Sequence, residues 1–369
     1  MTDIAIVGGG LAGLINAILL ARKGVSVVLF EKKNYPFHRV CGEYISNEVV
    51  PFLKQNGLYP DHLAVAQINK FLLTSTNGRH SDLDLDLGGF GISRYELDHF
   101  LFQKAIDSGV DCRTGISVEN VEFSENHFNI QLKSETVQSK LVIGAFGKRS
   151  KLDKKLNRSF IQRKSPYLAV KYHIKTDFPD DTIALHNFKG GYCGMSKVEN
   201  DTYNLCYLSA SSVLKESGNI PEMEEQILHK NPFLKSIFKN SKFVFDVPLV
   251  INEISFENKL PVENHILMSG DSAGMIVPLC GNGMAMAIHS AKILSETIIN
   301  HWSNGEFDRE KLESEYVKMW NKLFYFRLWS GRKIQALFGS TTASNLAVNL
   351  ARIKPVANSL LGLTHGKEF

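Results

Sequence analysis

Apolar positions fall in two rhythms along this chain. Residues 4–7, Ile-Ala-Ile-Val, and 27–30, Val-Val-Leu-Phe, are short apolar runs rich in β-branched side chains, the pattern of strands buried on both faces. Residues 141–145 and 265–269 read as further buried strands. Ser93 opens a helix: its hydroxyl can cap, Glu96 sits at the capping-box position, and Leu97, Leu101 and Ala105 recur at helical spacing until Gly109. Residues 118–123 and 128–132 read as a hairpin pair. From residue 165 to about 250 the pattern becomes short segments of alternating polarity, 168–174 and 203–208 among them, which suits a mainly antiparallel sheet. Beyond the strand at 265–269 the chain is mostly helical. No internal repeat or low-complexity linker divides these stretches, so the domains interleave.

Composition narrows the class. With 369 residues, 44% hydrophobic and 22% charged, the chain can build a large core and two closely joined domains. A net charge of +4 is modest for this length and does not suggest nucleic acid. Five scattered cysteines, an odd number without a C-x-x-C, argue against a disulfide framework or a zinc site, so no metal is expected. Asp3 stands where a signal peptide needs basic residues, and Gly8 to Gly10 break the apolar run. No apolar stretch is long enough to span a bilayer, and a cytoplasmic protein is the expectation.

The first chemical signal lies at residues 4–31, which read as strand, glycine turn, helix, strand and terminal acid. Gly8 allows the tight turn, Gly10 lets the backbone approach a pyrophosphate, and Gly13 lets the helix pack on the strand. The helix N-terminus, at Leu11 and Ala12, offers free N–H donors and partial positive charge to phosphates. Glu31, followed by Lys32, stands where a carboxylate accepts ribose hydroxyls. This is a site for the ADP half of a dinucleotide; the motif alone does not separate FAD from NAD(P). Three other patterns carry less. Asp82, Asp84 and Asp86 alternate with Leu83, Leu85 and Leu87; the glycine comes one position late for a calcium loop and Ser93 replaces the bidentate glutamate, so a strand with an acidic outer face is expected. Gly270-Asp271-Ser272-Ala273-Gly274 matches an esterase nucleophile elbow, but Pro278 and Gly281/Gly283 interrupt the helix that motif requires. Residues 148–164 hold eight cations against one acid, Asp153, and read as a solvated face, with a patch for a phosphorylated cofactor or acyl carrier as the lesser option.

Leu267-Met268-Ser269-Gly270-Asp271-Ser272-Ala273 followed by Pro278-Leu279-Cys280-Gly281-Asn282-Gly283-Met284, taken with the N-terminal fingerprint, resembles the FAD-dependent aromatic hydroxylase and geranylgeranyl reductase superfamily over nearly all residues. The resemblance implies FAD as cofactor and an α/β fold. It consists of a glutathione-reductase-like, Rossmann-type FAD-binding domain, an inserted mainly antiparallel β-sheet substrate domain and a helical C-terminal tail. On this chain those are residues 1–75, 90–160 and 260–305 for FAD, 76–89 and 161–259 for substrate, and 306–369 for the helical region. It further implies that Asp271, beside Gly270, bonds the ribityl chain. Pro278 to Gly283 would lie along the isoalloxazine, with the helix starting near Asn282, Gly283 and Met284 aiming N–H groups at the edge that gains negative charge on reduction. Arg39 and Arg94 resemble the cations that meet the pyrophosphate or hold the ribityl chain; a surface salt bridge is the alternative for each. Val40-Cys41-Gly42-Glu43 is similar to the C-G-x motif by which geranylgeranyl reductases line the flavin, where Cys41 either acts near N5 or packs as a small apolar group. Phe146 replaces the Asp that family members carry, which puts direct reduction by NAD(P)H in doubt and leaves the reductant open, a donor protein included.

By this resemblance the chain is a FAD-dependent oxidoreductase acting on an apolar or aromatic small molecule, first by hydroxylation through a flavin C4a-hydroperoxide. The alternative is reduction of C=C bonds of an isoprenoid or polyene. A non-redox escort of prenylated proteins is a third reading, opposed by the intact Gly8, Gly10, Gly13, Glu31 and Asp271 set. Candidate substrate contacts are Phe188, Tyr192, Met195, Tyr207 and Pro278, with ordinary core packing as the alternative for the aromatics. His289 is expected to be structural. The aromatic and basic stretch at 323–334 is expected to bury its apolar face on the substrate domain, with contact to a membrane surface as the lesser reading.

Overall fold

The structure, a computed structural model, describes residues 1–162, 165–303, 305–335, 340–353, 355–357, 362 and 366–369. Two sheets organise it. The first is built on parallel strands: β1 (Thr2–Val7) lies between β2 (Val27–Glu31) and β9 (Thr136–Gly144), with β6 (Asp111–Thr114) beyond β2 and β17 (Ile266–Met268) beyond β9. β16 (Val262–Glu263) adds an antiparallel edge, and the hairpin β7 (Asn120–Ser124) and β8 (His127–Gln131) joins the first half of β9. β1, β2 and β9 are buried where they pair, as unalternated apolar runs require. Against them pack α1 (Leu11–Ala21), α3 (Arg94–Asp107), α8 (Gly283–His301) and α9 (Arg309–Gln335) in one apolar core. Ser93 caps α3 by accepting a bond from the Glu96 N–H at 3.2 Å, the geometry its sequence predicts.

The second sheet runs in the order β14 (Lys242–Phe243), β10 (Tyr167–Lys175), β13 (Tyr203–Ala210), β12 (Gly191–Lys197), β11 (Thr182–Phe188), β4 (Ala66–Thr74), β5 (His80–Gly91) and β3 (Tyr44–Ser46), with β15 (Leu249–Ile254) also on β10. All its pairs are antiparallel except β11 with β4. The expected boundary at residues 75/76 cuts a hairpin: β4 and β5 pair through the turn at Ser75 to Arg79, so the second sheet takes residues 44–46, 66–74 and 90–91 from the segments assigned to FAD. One face of this sheet is covered by α5 (Ser211–Ser217), α6 (Ile220–Gln226) and α7 (Pro232–Asn240). α10 (Thr341–Ala351) lies against β4 and β5 on the other. The short helices α2 (Val50–Gln55) and α4 (Lys151–Lys155) complete the fold.

The tail departs from expectation. α9 packs on the first core, not on the second sheet: Leu312, Tyr316, Trp320 and Phe324 are buried there, and the Tyr316 hydroxyl donates to the Met268 carbonyl at 2.5 Å. Tyr325, Phe326 and Trp329 lie exposed on its other face. Among the described residues, no helix is long and apolar enough to cross a membrane.

Candidate active site

The end of β1 and the start of α1 form a cradle. Gly8 has φ +110°, and a Cβ there would stand 2.3 Å from the Ala145 carbonyl oxygen. A Cβ on Gly13 would stand 1.9 Å from the Gly8 carbonyl oxygen, so only glycine lets α1 sit down on the turn. Gly13 therefore stays behind the site while Gly8, Gly10, Leu11 and Ala12 border it. Gly10 caps α1 with no side-chain bond, and the nearest atom to a Cβ there is Arg94 Nη2 at 3.5 Å. The first N–H groups of α1 thus face open space with the helix's positive end behind them, as a pyrophosphate requires.

A charged frame surrounds this cradle. Glu31, at the end of β2 and buried, accepts from the Gly9 N–H at 3.0 Å and from Arg39 Nη2 at 3.1 Å. The Gly9 carbonyl in turn accepts from Arg39 and from the Tyr35 hydroxyl. Arg39 also meets Asp98 at 2.8 Å, and Arg94 grips the same carboxylate with two bonds, 2.7 and 2.8 Å. Both arginines border the cavity, but they pair with the buried carboxylate of Asp98 while themselves only partly exposed, unlike the surface pairs named as the alternative. Burial alone would lower the affinity of Arg94 for its proton; Asp98 outweighs this and raises it. Lys32 lies exposed at the rim.

From the other side come the late loops. Gly270, at φ +64°, and Asp271 border the cavity in the turn after β17. Lys259 holds that turn by donating to the backbone carbonyls of Asp271 and Lys148 at 2.7 and 2.8 Å; burial pushes its ammonium down to about 8. Ser272 is buried, bonded to Gly147, and acts as a structural residue where the elbow pattern suggested a nucleophile. Arg158, within the supposed solvated basic face, is buried between Asp153 and Glu263 and donates to the Ser272 carbonyl at 2.9 Å. Arg163 and Lys164 of that run lie outside the described residues, as does the side chain of Cys280. Pro278, Gly281, Gly283 and Met284 border the cavity. Asn282 does not: its side chain turns away and donates to Glu48 at 3.0 Å, because that buried carboxylate needs donors.

The cavity, about 690 Å³, continues from Cys41 and Gly42 along the second sheet. Its far wall is Phe71 and Leu73 of β4, Leu83 and Leu85 of β5, Tyr192 and Leu208, with Ala347 and Ala351 of α10 closing it. Tyr192 packs in this front cluster. Phe188 does not reach the cavity; its side chain is buried behind the sheet, edge-on to Tyr207 at 6.0 Å. Met195 and Tyr207 border the cavity through their strands, but pack in the rear cluster, where the Tyr207 hydroxyl donates to Glu224 at 2.7 Å. Strand alternation is the reason: odd and even positions of β12 and β13 face opposite layers. Asp98, Lys259, Leu83 and Leu85 were not among the sequence candidates, though the Leu/Asp alternation at 82–87 already put the leucines on one inward face.

A family profile described as FAD binding domain matches residues 1–316. A digeranylgeranylglycerophospholipid reductase of Methanosarcina acetivorans is 25% identical over 339 residues, covering 87% of this chain and 80% of that protein. Protein FixC of Escherichia coli is 25% identical over 347 residues, covering 85% and 80%. Among solved structures, a geranylgeranyl bacteriochlorophyll reductase-like protein of Thermoplasma acidophilum superposes with a TM-score of 0.77 at 18% identity over 98% of this chain and 96% of its own. The flavin-dependent halogenase CmlS gives 0.76 at 20% identity over 91% and 64%.

Proposed function

The chain belongs to the FAD binding domain family, and from that premise we propose that it is a FAD-dependent oxidoreductase that reduces C=C bonds of an elongated apolar substrate. The glycine turn with the start of α1, the Glu31 carboxylate and the Asp271 turn fit FAD along one cavity. FAD, when bound, supplies the two-electron chemistry. The protein's residues do the rest. Gly10, Leu11 and Ala12 hold the pyrophosphate, and Glu31 takes the ribose hydroxyls once Arg39 yields one of its oxygens. Asp271 meets the ribityl chain, and Gly283 and Met284 present the positive end of α8 to the ring. Cys41 and Gly42 set one wall of the reaction space.

The observation that carries the reductive reading is the far wall of the cavity: Phe71, Leu73, Leu83, Leu85 and Leu208 offer a hydrocarbon chain dispersion contacts and exclude water. Among the described residues, this far wall carries no charged side chain to activate a ring for hydroxylation, the reaction first expected from the sequence. Anaerobic photoreduction followed by addition of a polyprenyl olefin tests this. Reoxidation of the flavin without oxygen supports reduction; substrate-stimulated oxygen uptake with no anaerobic turnover returns the chemistry to hydroxylation. A screen of NADH, NADPH and ferredoxin in the same cell identifies the donor class.

A further inference from the structure

Between the cradle and the apolar chamber lies a buried charged cluster in the second sheet. Glu43 has no measurable exposure and a backbone φ of +54°, a left-handed conformation that non-glycine residues seldom adopt. One carboxylate oxygen accepts from the Arg94 N–H at 2.8 Å and from Lys171 Nζ; the other is 2.7 Å from His173 Nε2. Lys171, itself fully buried, also donates to the Arg39 carbonyl at 3.1 Å. The Gly42 carbonyl accepts from Asn204 Nδ2 at 2.8 Å and from the Ser196 hydroxyl at 3.5 Å. Phe245 stacks on His173 at 4.9 Å, and His38 meets it edge-on at 5.1 Å. Residues 39 and 43 are therefore held from β10 and residue 42 from β12 and β13, while Cys41 between them has Arg94 as its charged neighbour.

Desolvating a carboxylate and an ammonium together contributes little to stability compared with apolar packing, and a left-handed glutamate adds backbone strain. What the arrangement does provide is a fixed position for the short segment that borders both the cofactor end and the substrate end of the cavity. We propose that Glu43, Lys171 and His173 are positioning residues: a buried clamp on the substrate sheet that fixes the Cys41–Gly42 wall against the flavin and so couples the two halves of the site. The proposal rests on the FAD reading above for what the wall faces, but not for the clamp itself.

Alkylation of Cys41 by iodoacetamide, followed by peptide mass spectrometry on the full chain with and without FAD, tests it. His173→Leu is expected to speed labelling of Cys41 about tenfold in the FAD-free protein by opening the segment locally. The same change is expected to alter the visible circular dichroism of bound FAD. His173→Gln, which keeps a donor for Glu43, is expected to restore both. Asn204→Leu removes a bond to Gly42 without touching the buried charges and is expected to act in the same direction. Variants that melt earlier yet label Cys41 at the wild-type rate and leave the flavin spectrum unchanged would overturn the clamp. If FAD fails to slow labelling in the wild type, the placement of the flavin is wrong while the FAD-free comparison still decides the clamp.

Discussion

Both Asp98 oxygens accept from Arg94, one of them accepts from Arg39 as well, and Arg39 in turn donates to Glu31. Both arginines entered only through the family resemblance, whereas the glycines and Glu31 were legible in the sequence because a turn, a helix start and a strand end fix their neighbours. Asp98 was not, since it lies 59 positions from Arg39 and only the fold brings them together. Two substitutions follow at this scale. Glu31→Lys should weaken FAD retention at least about tenfold, as a buried cation replaces the acceptor and faces Arg39; a flavin titration reads it, and unchanged occupancy would remove Glu31 from the site. Cys41→Ser should leave FAD bound, and changes the turnover rate only where the thiol takes part chemically; single-turnover kinetics on the loaded protein separate the two.

Helices and strands were easier to foresee than their partners. Alternation in β11 and β12 predicts two faces but not which one meets the cavity, which is why Phe188 fell behind the sheet and Tyr192 in front. In α9 the sequence shows aromatics on several sides of the helix. The side that wins is the one carrying Tyr316, Trp320, Phe324 and, one turn on, Arg327. Arg327 is nearly buried and bonds Glu48 at 2.8 Å; Glu48 is fully buried and also takes the Asn282 amide. Arg327→Met should therefore destabilise the fold by about 3 kcal/mol, because it strands a carboxylate away from water, and adding Glu48→Gln should recover much of the loss. Denaturant unfolding of the single and double variants measures both; equal stability of the single variant and the wild type would show that α9 is held by its aromatic face alone.

At the scale of the whole molecule, the parallel first sheet and the antiparallel second were visible in the change of rhythm, whereas the boundary between them was not. β3 and β4 are short or mixed in pattern, and only pairing with β5 assigns them to the second sheet. Acid stability is a property of this scale too. Burial lowers His38 to about 4, helped by His173 and Lys171, and lowers His289 to about 3, helped by Arg327 and Lys292; burial alone takes His186 to about 3. In each case the unfolded chain takes up the proton first, so stability is lost as pH falls from about 6.5 towards these values. For Glu43, burial acts to raise the carboxyl, but Lys171 and His173 together hold it below its ordinary range, which removes stability in the same direction on acidification. Glu224, raised by burial, works the opposite way. Melting temperature should accordingly drop between pH 6.5 and 4, and His289→Phe, which keeps an aromatic ring against Phe369, should flatten that slope.

The most direct test of the whole arrangement is a crystal structure of the FAD-loaded protein. The pyrophosphate should lie over Gly8 to Ala12, the adenosine ribose at Glu31, and the isoalloxazine between Cys41–Gly42 and the start of α8, facing the chamber lined by Leu83, Tyr192 and Leu208. An isoalloxazine turned away from Cys41 and from that chamber would contradict it.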